Sequence, residues 1–358
     1  MIPDSTAPAR ATATPDSTAP ARGTASTGEQ ACPDGTTPVP PRAEGRRLPW
    51  TALPADLQAR VEQLLGSRVQ AAATQPGGFS PGIAVRLALA DGTRAFVKAV
   101  GHINPDARKL HRAEARIAAA LPATAPAPRL LGVIDSDDWV ILAFEDVDGR
   151  PPAQPWRDDE LARVLAATAD LASTLTPAPI DAPRAATRFH TLGHGWQQLA
   201  ADAASGADNL AGIDPWVRSH VTDLAALERG WDCAVDGATL AHGDVRADNI
   251  LLTPERVIFV DWPWACLAPP WFDLIAMLPN VALNGGPAPE DLFAAQPAAA
   301  DAEPAAVTTL VAALAGTWTY LGRRPDPPGL PTVREFQRAH AAVALRWLQQ
   351  RLRQGPFV

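Results

Sequence analysis

Residues 241–264, AHGDVRADNILLTPERVIFVDWPW, constrain this chain more than any other stretch. A short polar loop leads into two apolar runs, 250–252 and 257–260. Thr253, Pro254 and Glu255 between them suit a turn. Two strands joined this tightly predict that the loop carrying Asp244 and Asn249 comes close to Asp261. Three oxygen-bearing side chains then converge at one end of a small hairpin. That arrangement suits Mg²⁺ bound partly by protein and partly by substrate phosphates, with one carboxylate left to orient a hydroxyl. Taken by itself, the stretch also fits a polar turn followed by an ordinary acidic hairpin.

His242-Gly243-Asp244, with Asn249 five positions after Asp244 and Asp261 opening the next loop, resembles the aminoglycoside phosphotransferase-like branch of the protein-kinase-like superfamily. The related kinase pattern has a catalytic Asp, an Asn five positions later and a metal-binding Asp after a strand. The resemblance spans roughly residues 65 to 350. It implies an α+β, two-lobed fold with an antiparallel-sheet N-lobe and a mainly helical C-lobe. It further implies that Asp244 orients the acceptor hydroxyl and accepts its proton, that Asn249 and Asp261 bind Mg²⁺, and that His242 organises the catalytic turn. Asp273 resembles the acidic residue that braces this loop through backbone donors. Arg246 occupies the place of a lysine in many protein-kinase catalytic loops. It is a candidate fork onto the transferred phosphate, with pairing to Asp248 as the alternative. Asp261-Trp262-Pro263 departs from the kinase DFG pattern: Pro263 restricts a turn that glycine leaves permissive, so no protein-kinase-style switch is expected. Trp264 either borders the acceptor or is simply packed.

Upstream, residues 69–73, 83–89 and 94–100 read as successive antiparallel strands separated by turn residues, not as a Rossmann start. Gly77 and Gly78 would let backbone approach nucleotide phosphates, and Ser80 adds a hydroxyl; the same loop also fits a plain hairpin turn. No Walker-type loop is present. Lysine occurs only at 98 and 109, which gives Lys98 weight. Its FVK segment is similar to the nucleotide-binding lysine strand of kinase-like enzymes. The 106–120 segment has helical spacing, and by resemblance Glu114 on it is the acidic partner of Lys98, with a solvated helix face as the alternative. His102 and His111 have no accompanying ligand cluster and are not expected to bind metal. Strands at 130–134 and 139–144 lead to the interlobe hinge. Phe144, Glu145, Asp146 and Val147 are candidates for the adenine border, although Asp146 alone reads as structural.

The N-terminal 45 residues form a separate regime, with PDSTAPAR at 3–10 and again at 15–22. Pro-, Ala-, Ser- and Thr-rich sequence lacks the apolar content to offset chain ordering, so a mobile tail is expected. The organisation read from sequence is therefore a tail (1–45), a nucleotide-binding lobe with hinge (46–147) and a catalytic, acceptor-binding lobe (148–358). Helices are expected at 54–65, 155–175, 189–199 and 216–229, and over 289–293, 305–321 and 333–352.

A net charge of −8 argues against an extended nucleic-acid surface, and an acidic balance suits a cationic acceptor without selecting one. Three scattered cysteines make no disulfide scaffold. Without a signal core or a convincing membrane span, the cytoplasm is the expected location. The expected cofactors are ATP and Mg²⁺, and the expected partner is a small-molecule hydroxyl acceptor, an aminoglycoside, sugar, amino alcohol or macrolide among them. The competing functions are a nucleotide-responsive binding protein and a protein kinase; the missing APE signature weakens the latter.

Overall fold

In the computed structural model, the residues described are 47–75, 82–102, 104–327 and 332–354. The expected tail (1–45) and the loop with Gly77, Gly78 and Ser80 lie outside them. The first half is built on a six-stranded sheet. It comprises β1 (Arg47–Leu48), α1 (Ala55–Leu65), β2 (Val69–Thr74), β3 (Gly82–Leu89), β4 (Arg94–Gly101), α2 (Pro105–Ala120), β5 (Leu130–Asp135) and β6 (Trp139–Glu145). The strand order is β1-β3-β4-β6-β5, with β2 also on β3, and every pairing except β1 with β3 is antiparallel. Central strand β4 carries Lys98 opposite Ala84 on one side and Leu142 on the other. Its position is thus fixed by two ladders.

One sheet face buries Ile83, Val85, Leu87, Val97, Ile141 and Ala143 with Leu57 and Val61 of α1. On the other face, Val100, Val140, Leu142 and Phe144 form a smaller core with Ala107 of α2. Helix α2 starts where the Asn104 side chain accepts the Ala107 N–H at 2.9 Å and Pro105 supplies a preset first turn. That start sets the phase that turns Glu114 inward.

The second half is mainly helical. It comprises α3 (Asp158–Thr174), α4 (Ala185–Arg188), α5 (Gly195–Ser205), α6 (Pro215–Glu228), α7 (Trp231–Ala234), β7 (Thr239–Ala241), β8 (Ile250–Leu252), β9 (Val257–Phe259), β10 (Cys266–Ala268), α8 (Phe272–Leu283), α9 (Pro289–Ala294), α10 (Pro304–Gly322) and α11 (Val333–Gln354). The expected hairpin forms from β8 and β9, with Ile250 opposite Phe259. A second pair, β7 with β10, holds the chain on either side of it. The helix expected over 189–199 is displaced. A 3-10 turn at Leu192–His194 precedes α5, and Gly193 has non-helical backbone angles. Gly195 approaches the backbone of Gly316 so closely that a Cβ there would collide with it. Close packing therefore overrode local propensity. Helix α10 is long and apolar enough to cross a membrane by composition, but 72% of its most apolar stretch is buried inside the helical half. Length and apolarity here serve a core helix.

Candidate active site

The loop between β7 and β8 is held from below by one carboxylate. Asp273, in the first turn of α8, accepts the backbone N–H of His242 at 2.7 Å and that of Gly243 at 2.8 Å. Gly243 has φ +83°, and a Cβ there would strike the Trp264 carbonyl, so this turn requires glycine. His242 is fully buried. Its Nε2 donates to the Val260 carbonyl at 3.0 Å, and its Nδ1 accepts the Asp244 N–H at 3.2 Å. Those partners require one tautomer, protonated on Nε2. Burial also lowers its pKa despite the nearby Asp273 and Asp244. A neutral imidazole with both nitrogens engaged links the loop to Val260, just past β9.

Asp244 and Asn249 meet directly. The Asn249 Nδ2 donates to the Asp244 carbonyl at 2.9 Å and to Asp244 Oδ2 at 3.1 Å. Burial by itself raises the Asp244 carboxyl, yet neighbouring positive charge, the Arg246 guanidinium foremost, brings it below its ordinary value. Arg246 approaches Asp244 Oδ1 at 3.7 Å, but its fork engages Asp248, through Nε at 3.1 Å and Nη2 at 2.9 Å. The pairing alternative is the one formed, and Arg246 also stacks over Phe336 at 5.6 Å.

Lys98 bridges the two halves. Its Nζ lies 2.7 Å from Glu114 Oε1 and 2.5 Å from Asp261 Oδ1. Burial opposes the ammonium, but Asp261 and Glu114 together raise its pKa. Burial pushes Glu114 up to about 7 against the pull of Lys98. Asp261, which burial also favours protonating, is held by Lys98 at about 2. One ammonium between two carboxylates therefore keeps Asp261 ionised at the expense of Glu114. Asp261 has φ +70°, a left-handed backbone that few non-glycine residues adopt and that Asp tolerates better than bulkier ones. Such an angle at a functional turn is a local cost sustained by its surroundings.

At the hinge, Phe144 is buried and its ring lies 5.8 Å from Lys98 Nζ, while Glu145 donates its N–H to the Arg129 carbonyl at 2.9 Å. The Val147 carbonyl accepts Arg86 Nη2 at 2.7 Å and the Gly149 N–H at 2.9 Å. Any backbone contact from Val147 to a base therefore falls to its N–H. Sequence reasoning missed why this segment is pinned. Asp146, with its side chain 3% exposed, binds Arg86 Nε at 2.6 Å and Arg94 Nε at 3.1 Å. Two arginines spaced along β3 and β4 carried no signal that they share one acid. Trp264 stacks on Phe189 at 5.8 Å with Arg188 at 4.9 Å, in a packed arrangement.

The sheet half, the helical half and the Lys98–Glu114–Asp261 bridge between them define a protein-kinase-like, bilobed phosphotransferase fold. The model of the phosphotransferase enzyme family matches residues 85–310, most of the chain, and the protein belongs to that family, ATP-using enzymes that act on small molecules. Among solved structures, it is similar to a thermostable mutant of aminoglycoside phosphotransferase APH(4)-Ia in complex with ADP and hygromycin B. The TM-score is 0.55 at 13% identity, covering 85% of this chain and 100% of that one. The choline kinase LicA from Streptococcus pneumoniae gives 0.52 at 14% identity over 82% and 98%. A fructosamine-3-kinase from Thermobifida fusca gives 0.50 at 22% identity over 81% and 98%. These likenesses establish the fold. No match was found among curated proteins.

Proposed function

We propose that the chain transfers the γ-phosphate of ATP to a hydroxyl of a small molecule, with a nucleotide-binding lobe over 46–147 and a catalytic lobe over 148–358. The observation that carries this reading is the bridge in which Lys98 from β4 meets Asp261 at 2.5 Å. Asp261 leaves the β8–β9 hairpin at the same end where the Asp244–Asn249 pair enters it, since Ile250 pairs with Phe259 and the Val260 N–H donates to the Asn249 carbonyl at 2.9 Å, so donor and acceptor groups share one cleft. Lys98 grips the α- and β-phosphates, and Glu114 restrains the lysine from α2. Glu145, Val147 and Phe144 border the adenine.

Asn249 and Asp261 fit a hard divalent cation. Asp261 is held ionised at about 2, and Asn249 commits its amide nitrogen to Asp244, which leaves an amide oxygen as its ligating atom. Among the described residues no group of three His, Cys, Asp or Glu side chains converges, and Asn249 and Asp261 would hold the ion together with oxygens of the substrate. Held by these residues, Mg²⁺ would supply charge neutralisation at the phosphate oxygens. Asp244 orients the acceptor hydroxyl in line with the γ-phosphorus. As the new O–P bond forms, the bond to the β–γ bridging oxygen breaks. Its electron pair leaves with ADP, and the hydroxyl proton passes to the Asp244 carboxylate. Arg246 reaches a transferring phosphate only by loosening its fork on Asp248; where it stands, its charge favours the ionised Asp244.

Use of ATP supports a cytoplasmic reaction, and the aminoglycoside phosphotransferase of similar fold, in a ternary complex with ADP and hygromycin B, supports a site that takes nucleotide and acceptor together. The test is an unbiased screen of metabolites and natural products with ATP and Mg²⁺, read by product mass. Phosphorylated product confirms the reading. ATP binding without transfer to any acceptor across a chemically broad panel rejects it and favours a nucleotide-responsive binding protein.

A further inference from the structure

Arg86 stands on the same sheet face as Lys98, one rung away. It pairs with Phe96 on β4, which pairs in turn with Phe144 on β6, and the next rung is Ala84, Lys98 and Leu142. Alternate residues of a strand return to one face, so a single surface runs from Lys98 to Arg86 at the hinge end. From there the guanidinium holds the hinge with three N–H groups. Its Nε donates to Asp146 Oδ1 at 2.6 Å, and its Nη2 donates to Asp146 Oδ2 at 3.0 Å and to the Val147 carbonyl at 2.7 Å. Arg94 adds a second cation to Asp146 at 3.1 Å, so that carboxylate keeps a partner whatever stands at position 86.

The Val147 carbonyl is full. Its second lone pair takes the Gly149 N–H at 2.9 Å. Gly149 is itself fixed against β8: a Cβ on it would stand 3.1 Å from the Leu252 carbonyl, and Arg150 exchanges two backbone hydrogen bonds with Leu252 at 2.7 and 3.1 Å. The Val147 N–H, by contrast, meets no acceptor among the described residues. This residue therefore offers a base one donor with no acceptor beside it.

Purines differ at the edge that such a residue reads. Adenine places an acceptor at N1, which a lone N–H satisfies. Guanine and hypoxanthine place an acceptor at O6 beside a donor at N1, a pair that matches the N–H and carbonyl of one residue. With the carbonyl already taken, the guanine N1–H enters the hinge unpaired, and a buried donor left unpaired is a strong penalty. We infer that Arg86 selects the base: by occupying the Val147 carbonyl it denies guanine its acceptor, so adenine nucleotides are taken and guanine nucleotides refused. The inference rests on the reading of this hinge as the nucleotide border. Arg86 is a positioning residue that acts through Val147.

The full chain with Mg²⁺ is titrated with ADP, GDP and IDP by calorimetry, which needs no acceptor and no turnover. IDP carries O6 and N1–H without the 2-amino group of guanine, so it isolates the edge in question. ADP is expected to bind at least about tenfold more tightly than either GDP or IDP. Arg86→Met, shown to be folded by thermal melting, is expected to keep ADP affinity within about threefold and to narrow the gap to GDP and IDP about tenfold. Arg86→Lys, which keeps a charge beside Asp146 but has no planar fork to span carboxylate and carbonyl, is expected to narrow the same gap and serves if the Met protein does not fold. Equal native affinities for the three nucleotides, or a gap unchanged in the folded variant, overturns the inference and leaves the phosphotransferase reading intact. Binding of none of the three by the native chain overturns both.

Discussion

Replacing Asp273 by Asn isolates the contribution of one carboxylate to the catalytic turn. Its two oxygens accept the His242 and Gly243 N–H groups at 2.7 and 2.8 Å in a buried setting. An amide keeps one acceptor and turns a donor toward the other N–H. Leaving one buried donor unsatisfied costs about 1–3 kcal/mol, so Asp273→Asn should lose that much stability, and Asp273→Ala, which orphans both donors, about 2–6 kcal/mol. Gly243 directly precedes Asp244 and owes its φ of +83° to this turn, so the carboxylate that receives the acceptor hydroxyl shifts with it. A misplacement of about 1 Å is enough for roughly a hundredfold loss of turnover. Urea unfolding followed by tryptophan fluorescence measures the first effect, with Trp262 edge-on to His242 at 4.6 Å as a local reporter. ATP-dependent product formation measures the second. An Asp273→Asn protein within about 0.5 kcal/mol of the native one and with unchanged turnover would refute the brace.

Glu228 gives a pH prediction. It is fully buried, burial pushes it up to about 7, and its Oε2 takes the Gln197 N–H at 3.0 Å. A carboxyl with a raised folded pKa binds more protons folded than unfolded between its ordinary value of 4.5 and about 7, so stability falls as pH rises through that window. The loss is on the order of 3 kcal/mol. Glu228→Gln should flatten it, giving a Tm at pH 8 at least equal to that of the native chain; a lower Tm there than at pH 5, as steep as the native one, contradicts the assignment. Lys98→Met should weaken ADP binding about tenfold or more, because a charged hydrogen-bonding group contributes roughly 1.5–3 kcal/mol. Unchanged calorimetric affinity would remove Lys98 from the nucleotide site. Asp261→Asn should raise the Mg²⁺ concentration for half-maximal turnover at least about tenfold, in line with the loss of one charged ligand. An unaltered Mg²⁺ titration argues against Asp261 as a ligand.

The catalytic half of the site was legible because its chemistry is written over a short span. Asp244, Asn249 and Asp261 are brought together by one hairpin, so spacing and turn residues predicted their proximity, while their roles came from the family resemblance. Lys98 drew attention through the scarcity of lysine and its strand, and Glu114 was named as its partner by the family resemblance, since helical spacing by itself also fits a solvated face. Longer-range geometry was not. The Arg86–Asp146 pair joins residues 60 positions apart, and each charge reads by itself as a solvated surface group. The Asn280–His340 pair is likewise separated by 60 positions, on two helices whose apolar stripes predict burial but not which polar groups meet. The fork from Arg246 to Asp248 was only the alternative in sequence, where the resemblance pointed Arg246 at the phosphate, because both a phosphate and a neighbouring carboxylate suit a guanidinium. The start of α5 was misplaced because its boundary depends on Gly195 meeting the backbone of Gly316, a contact invisible to local periodicity.

The most direct test is Asp244→Asn, an exchange of one oxygen for a nitrogen in a carboxylate that Asn249 contacts at 3.1 Å. With an acceptor in hand, turnover should fall by about 10²–10⁴-fold, the range for losing a positioned general base, while calorimetric binding of ADP and Mg²⁺ stays within about twofold of native. Turnover that persists near the native rate with binding intact would mean that the proton leaves by another route and that the turn built around Asp244 is not the catalytic one.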